Sequence, residues 1–515
     1  MFGNGLATRV IMRLGLLAAA AAVVAALRYH VVTGNGLASG AATIGVGLRA
    51  VVLVALVLAV IRVTWSVARF ARSPRAARRN YPRMLAAAAR WRWLTRNLGI
   101  AYPDPHAASG SRAPAGRTVQ ANRRARVQYP RARFRADEWG IVARVKTTPR
   151  AGRLEFERDA QHVADAWRCY RVQVTQPKPG RVIVRGICVD PLAAPIAMDA
   201  APAGTYSRAR YSPLAYLGRD EWGTERFANL YGVTGIAIGG LPDYGKTSLV
   251  RSLMCQDYGS PAVQHVVIDG KGGGDYLGQQ ERLWLPVVGN DLEKAAAVLA
   301  RCEALMNRRL AAAGRVAGPV NRWEVGPTRD YPLIGITVDE CHSFFDLEAV
   351  KGDKQAEACV RQCRSSTANM IRMGRSVLFA VKVITQKQTS DAIPTAIRDI
   401  CQLSASFAAK TESGAEAVLG EQIRAYPSYS PVQLQAKPTY VGVCTVTLAT
   451  GTDPFVRLRV PLVGERDATS AAIDTAHYRR DPEALLDAFL DRGGYPYEVP
   501  ALGADEVPAS RGSAG

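Results

Sequence analysis

One run of eight residues constrains this chain more than any other: Gly240 to Thr247, reading GLPDYGKT, which fits G-x-x-x-x-G-K-[ST]. Each position has a physical task. Gly240 and Gly245 let the backbone curl, so that N–H groups along Gly240, Leu241, Pro242, Asp243, Tyr244, Gly245, Lys246, Thr247 and Ser248 surround an anion; proline contributes shape rather than a donor. Lys246 carries a cation on a stem long enough to reach phosphate oxygens, and the Thr247 hydroxyl is a hard oxygen suited to Mg²⁺. The flanks agree. Gly235 to Gly239 (GIAIG) reads as a short buried strand, and Ser248 to Met254 as the first turns of a helix whose free N–H groups add to anion binding.

A nucleotide loop needs an acid nearby, and Leu333 to Glu340 (LIGITVDE) supplies one. An apolar run of this kind predicts a buried strand ending in Asp339, at the carboxyl edge where α/β sheets hold ligands. Asp339 is placed to hold Mg²⁺ together with Thr247, and Glu340 to polarise an attacking water. A third run, Val377 to Ile384, is followed by Thr385 and Gln386. Gln386 either hydrogen-bonds the water or caps a strand. Arg372, Arg375 and Arg398 flank that run; each is a surface ion-pair residue or, across a subunit boundary, an arginine finger. Arg375 is the one assigned here.

Strands and helices alternate from about residue 217 to 464, with apolar runs at 263–269, 333–339 and 377–384. This predicts a parallel sheet with helices on both faces. A hairpin over 439–447 and 454–463 closes the domain, and the tail from 465 shows one helix, 482–491. Upstream, strands at 140–146, 171–175 and 180–188 with a helix over 155–167 predict a small α+β module.

The 515 residues carry a formal charge of +22, concentrated in one place. Arg62 to Arg135 holds eighteen arginines, no lysine and one acid, Asp104, a net +17. A block this dense calls for a polyanion, either nucleic acid or anionic headgroups. Before it lie two apolar stretches, 14–27 and 37–61, read as a membrane hairpin whose arginine-rich flank keeps the remainder in the cytoplasm. Nine scattered cysteines without a C-x-x-C pair fit reduced thiols. The expected segments are a membrane anchor (1–61), an arginine-rich surface helix and flexible linker (62–135), the module (136–212), the nucleotide domain (213–464) and a tail (465–515).

Taken together, the phosphate loop, the Asp339-Glu340 strand and the segment Val267 to Gly273 (VIDGKGG) resemble the FtsK/SpoIIIE family of DNA-pumping ATPases. Asp269 to Gly272 (DGKG) resembles the family's Asp-Pro-Lys-Gly motif with Gly in place of Pro. Met373 to Ser376, Ile384 to Gln386, Ala392 to Arg398 and the stretch 213–232 resemble further family segments in the same order. The resemblance spans about residues 213–463 and implies a RecA-like P-loop NTPase that uses ATP and Mg²⁺. It also implies assembly of a hexameric ring and movement of double-stranded DNA. Within the family, the actinobacterial conjugative plasmid transfer proteins are the most similar. Chromosome partitioning, a coupling protein for single strands and a non-enzymatic DNA-binding scaffold stand as alternatives. Asp243 and Tyr244 occupy positions where the family has small residues, and residues 465–515 are too few in predicted structure for the family's DNA-reading winged helix.

Overall fold

The computed structural model describes residues 70–103, 127–148, 151–272, 274–316, 318–388, 392–436, 438–450 and 453–493, with isolated positions 57, 60, 64 and 68. The expected membrane hairpin lies outside the described residues. Among those described, no helix is long and apolar enough to cross a membrane. The chain divides into two compact units, residues 1–189 and 190–515.

The first unit is built on a four-stranded antiparallel sheet. Its strands are β1 (Arg131–Ala136), β2 (Gly140–Lys146), β3 (Arg171–Lys178) and β4 (Arg181–Ile187), in the order β1-β2-β4-β3. One face is covered by α1 (Tyr81–Asn97), α2 (Arg153–Arg158) and α3 (Ala160–Trp167). The expected surface helix and linker are corrected here. Helix α1 buries Met84, Ala87, Trp91 and Leu94 in the unit's core, and Trp91 packs edge-on against Phe134 of β1 at 5.5 Å. The Trp91 indole N–H donates to the Pro130 carbonyl at 2.8 Å. Residues 131–135, assigned to the linker, instead form β1. Their arginines hid an alternation in which Ala132, Phe134 and Ala136 point inward. The single helix expected over 155–167 is two, interrupted at Asp159.

The second unit begins at Asp190, so 190–212 does not belong with the module. Leu192 packs against Ala408, Leu434 and Val443, and the Tyr206 and Ser252 hydroxyls meet at 2.8 Å. The nine strands of the main sheet are β5 (Leu214–Asp220), β6 (Glu225–Asn229), β7 (Gly235–Gly239), β8 (Val263–Asp269), β9 (Leu333–Asp339), β10 (Phe379–Thr385), β11 (Leu403–Ser406), β12 (Val443–Thr450) and β13 (Asp453–Arg459). Their spatial order is β8-β9-β10-β7-β11-β12-β13-β5-β6. The first five are parallel and the rest antiparallel. Every residue of β7, β8 and β9 is buried, as expected of parallel strands covered on both faces. Ala237 joins one core with α5 (Leu292–Ala311) and α6 (Lys354–Met373). Ile236 and Ile238 join the other with α4 (Lys246–Tyr258).

Two sequence expectations shift. The run 377–384 becomes a strand only at Phe379, because Gly374–Val377 is a 3₁₀ turn and Leu378 is left-handed at φ 62°. Beyond α7 (Glu412–Leu419), the tail has two packed helices rather than one. Ala468 and Ala472 of α8 (Glu465–Asp474) join the α4 core, and Leu486 and Phe489 of α9 (Pro482–Asp491) join the α5–α6 core.

Candidate nucleotide site

The phosphate loop leaves the carboxyl end of β7 under tight steric control. A Cβ at Gly240 would lie 2.5 Å from Cβ of Phe407. Gly245 has φ 102°, and a Cβ there would meet Cα of Gly442 at 2.9 Å, so only glycine fits. Asp243 is the non-glycine residue that takes the left-handed turn, at φ 62°, with its side chain exposed. Two bonds brace the loop from behind: Leu241 N–H to the Ala408 carbonyl and Gly442 N–H to the Tyr244 carbonyl, each 2.9 Å. In contrast, no N–H of residues 243–248 donates to a carbonyl elsewhere in the described chain. With α4 starting at Lys246, these donors converge at a helix N-terminus, the arrangement that binds phosphate.

Lys246 is 5% exposed and donates from Nζ to the Leu241 carbonyl at 2.8 Å. Burial pulls its ammonium down to about 8, against the opposing pull of Glu340 and Asp339. The Ser248 hydroxyl is engaged away from the loop. It donates to the Pro461 carbonyl and accepts from Val463 N–H, both at 2.8 Å. It therefore fastens α4 to the segment that follows β13, and its backbone N–H is the group left for the loop.

The acid arrives by strand order. β10 lies between β7 and β9, which sets Asp339 and Glu340 one strand away from the loop. Asp339 is held on both oxygens: Tyr276 Oη donates to Oδ2 at 2.7 Å, and Glu340 N–H to Oδ1 at 2.8 Å. Burial pushes its carboxyl up to about 6, helped by Glu340 and by Asp269, its register partner on β8. Glu340 is left-handed at φ 47° and its side chain is 4% exposed. Gln386 donates its backbone N–H to Glu340 Oε2 at 3.0 Å, and His342 Nδ1 lies 3.3 Å from the same oxygen. Burial pushes the Glu340 carboxyl up, but His342, the Gln386 N–H and Lys246 outweigh it and hold it below the ordinary range. Gln386 thus enters the site through its backbone. Tyr276 went unread in the sequence; the only available signal was that a buried Asp339 requires donors.

Arg375 does not join this cluster within one chain. It sits in the turn before β10, and the seven residues of β10 separate it from Gln386 by about 20 Å at a strand's rise per residue. Its guanidinium lies against Gly232. Arg372 donates to Asn369 Oδ1 at 2.9 Å and Arg398 pairs with Asp399 at 2.7 Å.

The donor set suits a hard cation. Thr247 and Asp339 offer oxygens, and among the described residues no group of three His, Cys, Asp or Glu side chains forms a cage. Mg²⁺ held by one or two protein oxygens, water and substrate phosphates fits such a site.

No family model matches the sequence, and no curated protein matches it. Solved structures do resemble the fold. The pCW3 conjugation coupling protein TcpA, solved as a monomer with ATPγS, aligns at 13% identity over 78% of this chain and 98% of that one, with a TM-score of 0.45. The cytoplasmic domain of the type VII secretion ATPase EccC from Thermomonospora curvata aligns at 17% identity, covering 57% of this chain and 36% of that one, with a TM-score of 0.42. EssC ATPases 2 and 3 from Geobacillus thermodenitrificans align at 15% identity, covering 58% and 52%, with a TM-score of 0.39. These likenesses are distant, and the chemistry of the site rests on this chain's own residues.

Proposed function

We propose that this chain is an ATP-hydrolysing motor of the FtsK/SpoIIIE type that moves double-stranded DNA at a membrane, in the manner of a conjugative plasmid transfer protein. One observation carries the reading: a glycine-controlled phosphate loop and a strand-end acid pair meet at one edge of a parallel sheet, with a third strand between them. The strand order β8-β9-β10-β7-β11 supports a RecA-like core.

In this reading the N–H groups of residues 243–248 and Lys246 bind and orient the phosphates. Thr247 and Asp339 would hold Mg²⁺, which would neutralise charge on the phosphates of the substrate ATP. Glu340, ionised at neutral pH, orients a water for in-line attack and accepts its proton at Oε1 or Oε2. The backbone of Gln386 fixes the Glu340 carboxylate while this happens. Arg375, far from its own chain's loop, serves a neighbouring subunit of a hexameric ring. The apolar segments before residue 62 anchor the ring to the bilayer with the motor in the cytoplasm.

The test is Lys246→Ala. It abolishes duplex-stimulated ATP hydrolysis while membrane association persists. Hydrolysis at the wild-type rate would overturn the motor assignment.

A further inference from the structure

The outward face of the first unit's sheet is an unusual surface. The four strands contain no Asp or Glu. One face is covered by α1, α2 and α3. On the other, Arg131, Arg133 and Arg135 of β1, Arg144 and Lys146 of β2 and Arg181 of β4 are all exposed. The pairing register places like charges directly opposite one another: Arg133 with Arg144, Arg131 with Lys146, and Lys146 in turn with Arg181. Directly opposed residues are close neighbours, and like charges there destabilise a sheet. Among the described residues none of these six cations makes an ion pair. Asp137, in the β1–β2 turn, is already bound by Arg185 at 2.9 Å.

We infer that this face docks the phosphate backbone of duplex DNA. A solvated surface does not account for rows of opposed cations without acids, whereas a polyanion laid across them turns repulsion into attraction. The dimensions agree. Three arginines two residues apart on β1 span about 13 Å, and strands lie about 4.8 Å apart, so three strands present a grid of cations to a helix carrying one charge per ~1.7 Å. An anionic bilayer is the poorer partner. Membrane-surface elements set large apolar side chains among their cations, and the outward strand positions carry no exposed large apolar residue. The unit's exposed Leu85 and Trp93 lie on α1, Leu154 on α2 and Tyr170 just before β3, none of them within the four strands. The inference rests on the duplex-DNA part of the proposed function but places the contact outside the nucleotide site.

The test uses the full chain and a 30-base-pair duplex of mixed sequence, titrated across a salt series. Replacing Arg131, Arg133, Arg144 and Lys146 with Gln lowers the slope of log affinity against log salt by about 3 to 4, near 0.9 per lost phosphate contact. Arg144→Gln alone lowers it by about 1. Thermal unfolding of the single variant stays level or rises, since a like-charge pair is removed. Lys246→Ala binds duplex like wild type while losing hydrolysis, which separates this surface from the motor site. Wild-type slope and affinity in the fourfold variant would overturn the inference. So would a fourfold variant whose vesicle binding no longer depends on phosphatidylserine content while duplex binding is retained, which would assign the face to the bilayer.

Discussion

Tyr276 Oη donates to Asp339 Oδ2 at 2.7 Å, a fully buried bond between the segment after β8 and the end of β9. Burial raises the Tyr276 hydroxyl well above its ordinary pKa, so it remains a donor at every pH the protein meets. Tyr276→Phe removes the donor and leaves a buried carboxylate oxygen without it, at a cost of about 1–3 kcal/mol. Denaturant unfolding measures that loss. In activity, the Mg²⁺ concentration for half-maximal hydrolysis rises several-fold, because Asp339 then holds its proton more tightly. An unchanged Mg²⁺ requirement would show that Tyr276 supports the fold alone.

The same carboxyl sets a pH dependence. Its folded pKa near 6 exceeds the ordinary 3.8, so the folded state binds the proton more tightly than the unfolded chain. The stabilising contribution is present below pH 4 and is lost as pH rises through 6. Two pKa units correspond to about 3 kcal/mol. Asp339→Asn removes this titration. Measured from pH 4 to 7, wild type loses stability relative to the variant, and the gap levels off above pH 7. Parallel curves would contradict the assignment.

Asp243 separates backbone from charge. At φ 62° it holds a conformation that costs a non-glycine residue about 1–2 kcal/mol, beside a loop built for anions. Asp243→Asn keeps the backbone preference and removes the charge; Asp243→Gly relieves both. Nucleotide affinity, measured calorimetrically, increases a few-fold in each. If only the glycine variant binds more tightly, backbone strain rather than charge limits the loop.

Phe489 tests the C-terminal helices. It is fully buried, 5.4 Å from the Tyr331 ring, in the core that also holds Leu333 and Ile334 of β9. Phe489→Ala costs about 3–5 kcal/mol by cavity formation. A loss under 1 kcal/mol would mean that α9 contributes little to the sheet's packing.

These residues show what could be read in advance. Gly240, Gly245 and Lys246 follow from the loop's stereochemistry, and β8 and β9 from runs rich in β-branched apolar residues, because both are local signals. Tyr276 and the Gln386 backbone bond were not legible, since each depends on which strands become neighbours. The strand β1 was masked because its outward positions are all arginine, which reads as linker composition. Helix α8 was missed because its buried residues are alanines, which leave little periodic contrast.

The position of β10 fixes how far apart two parts of the domain lie. At one end the strand ties its exit turn to Glu340 through Gln386; at the other it begins at the turn that carries Arg375. It is almost wholly buried and paired on both sides, with β9 and β7. The acid and the turn that carries Arg375 are therefore the two ends of one paired, buried strand, so the spacing between them is set by the length of β10.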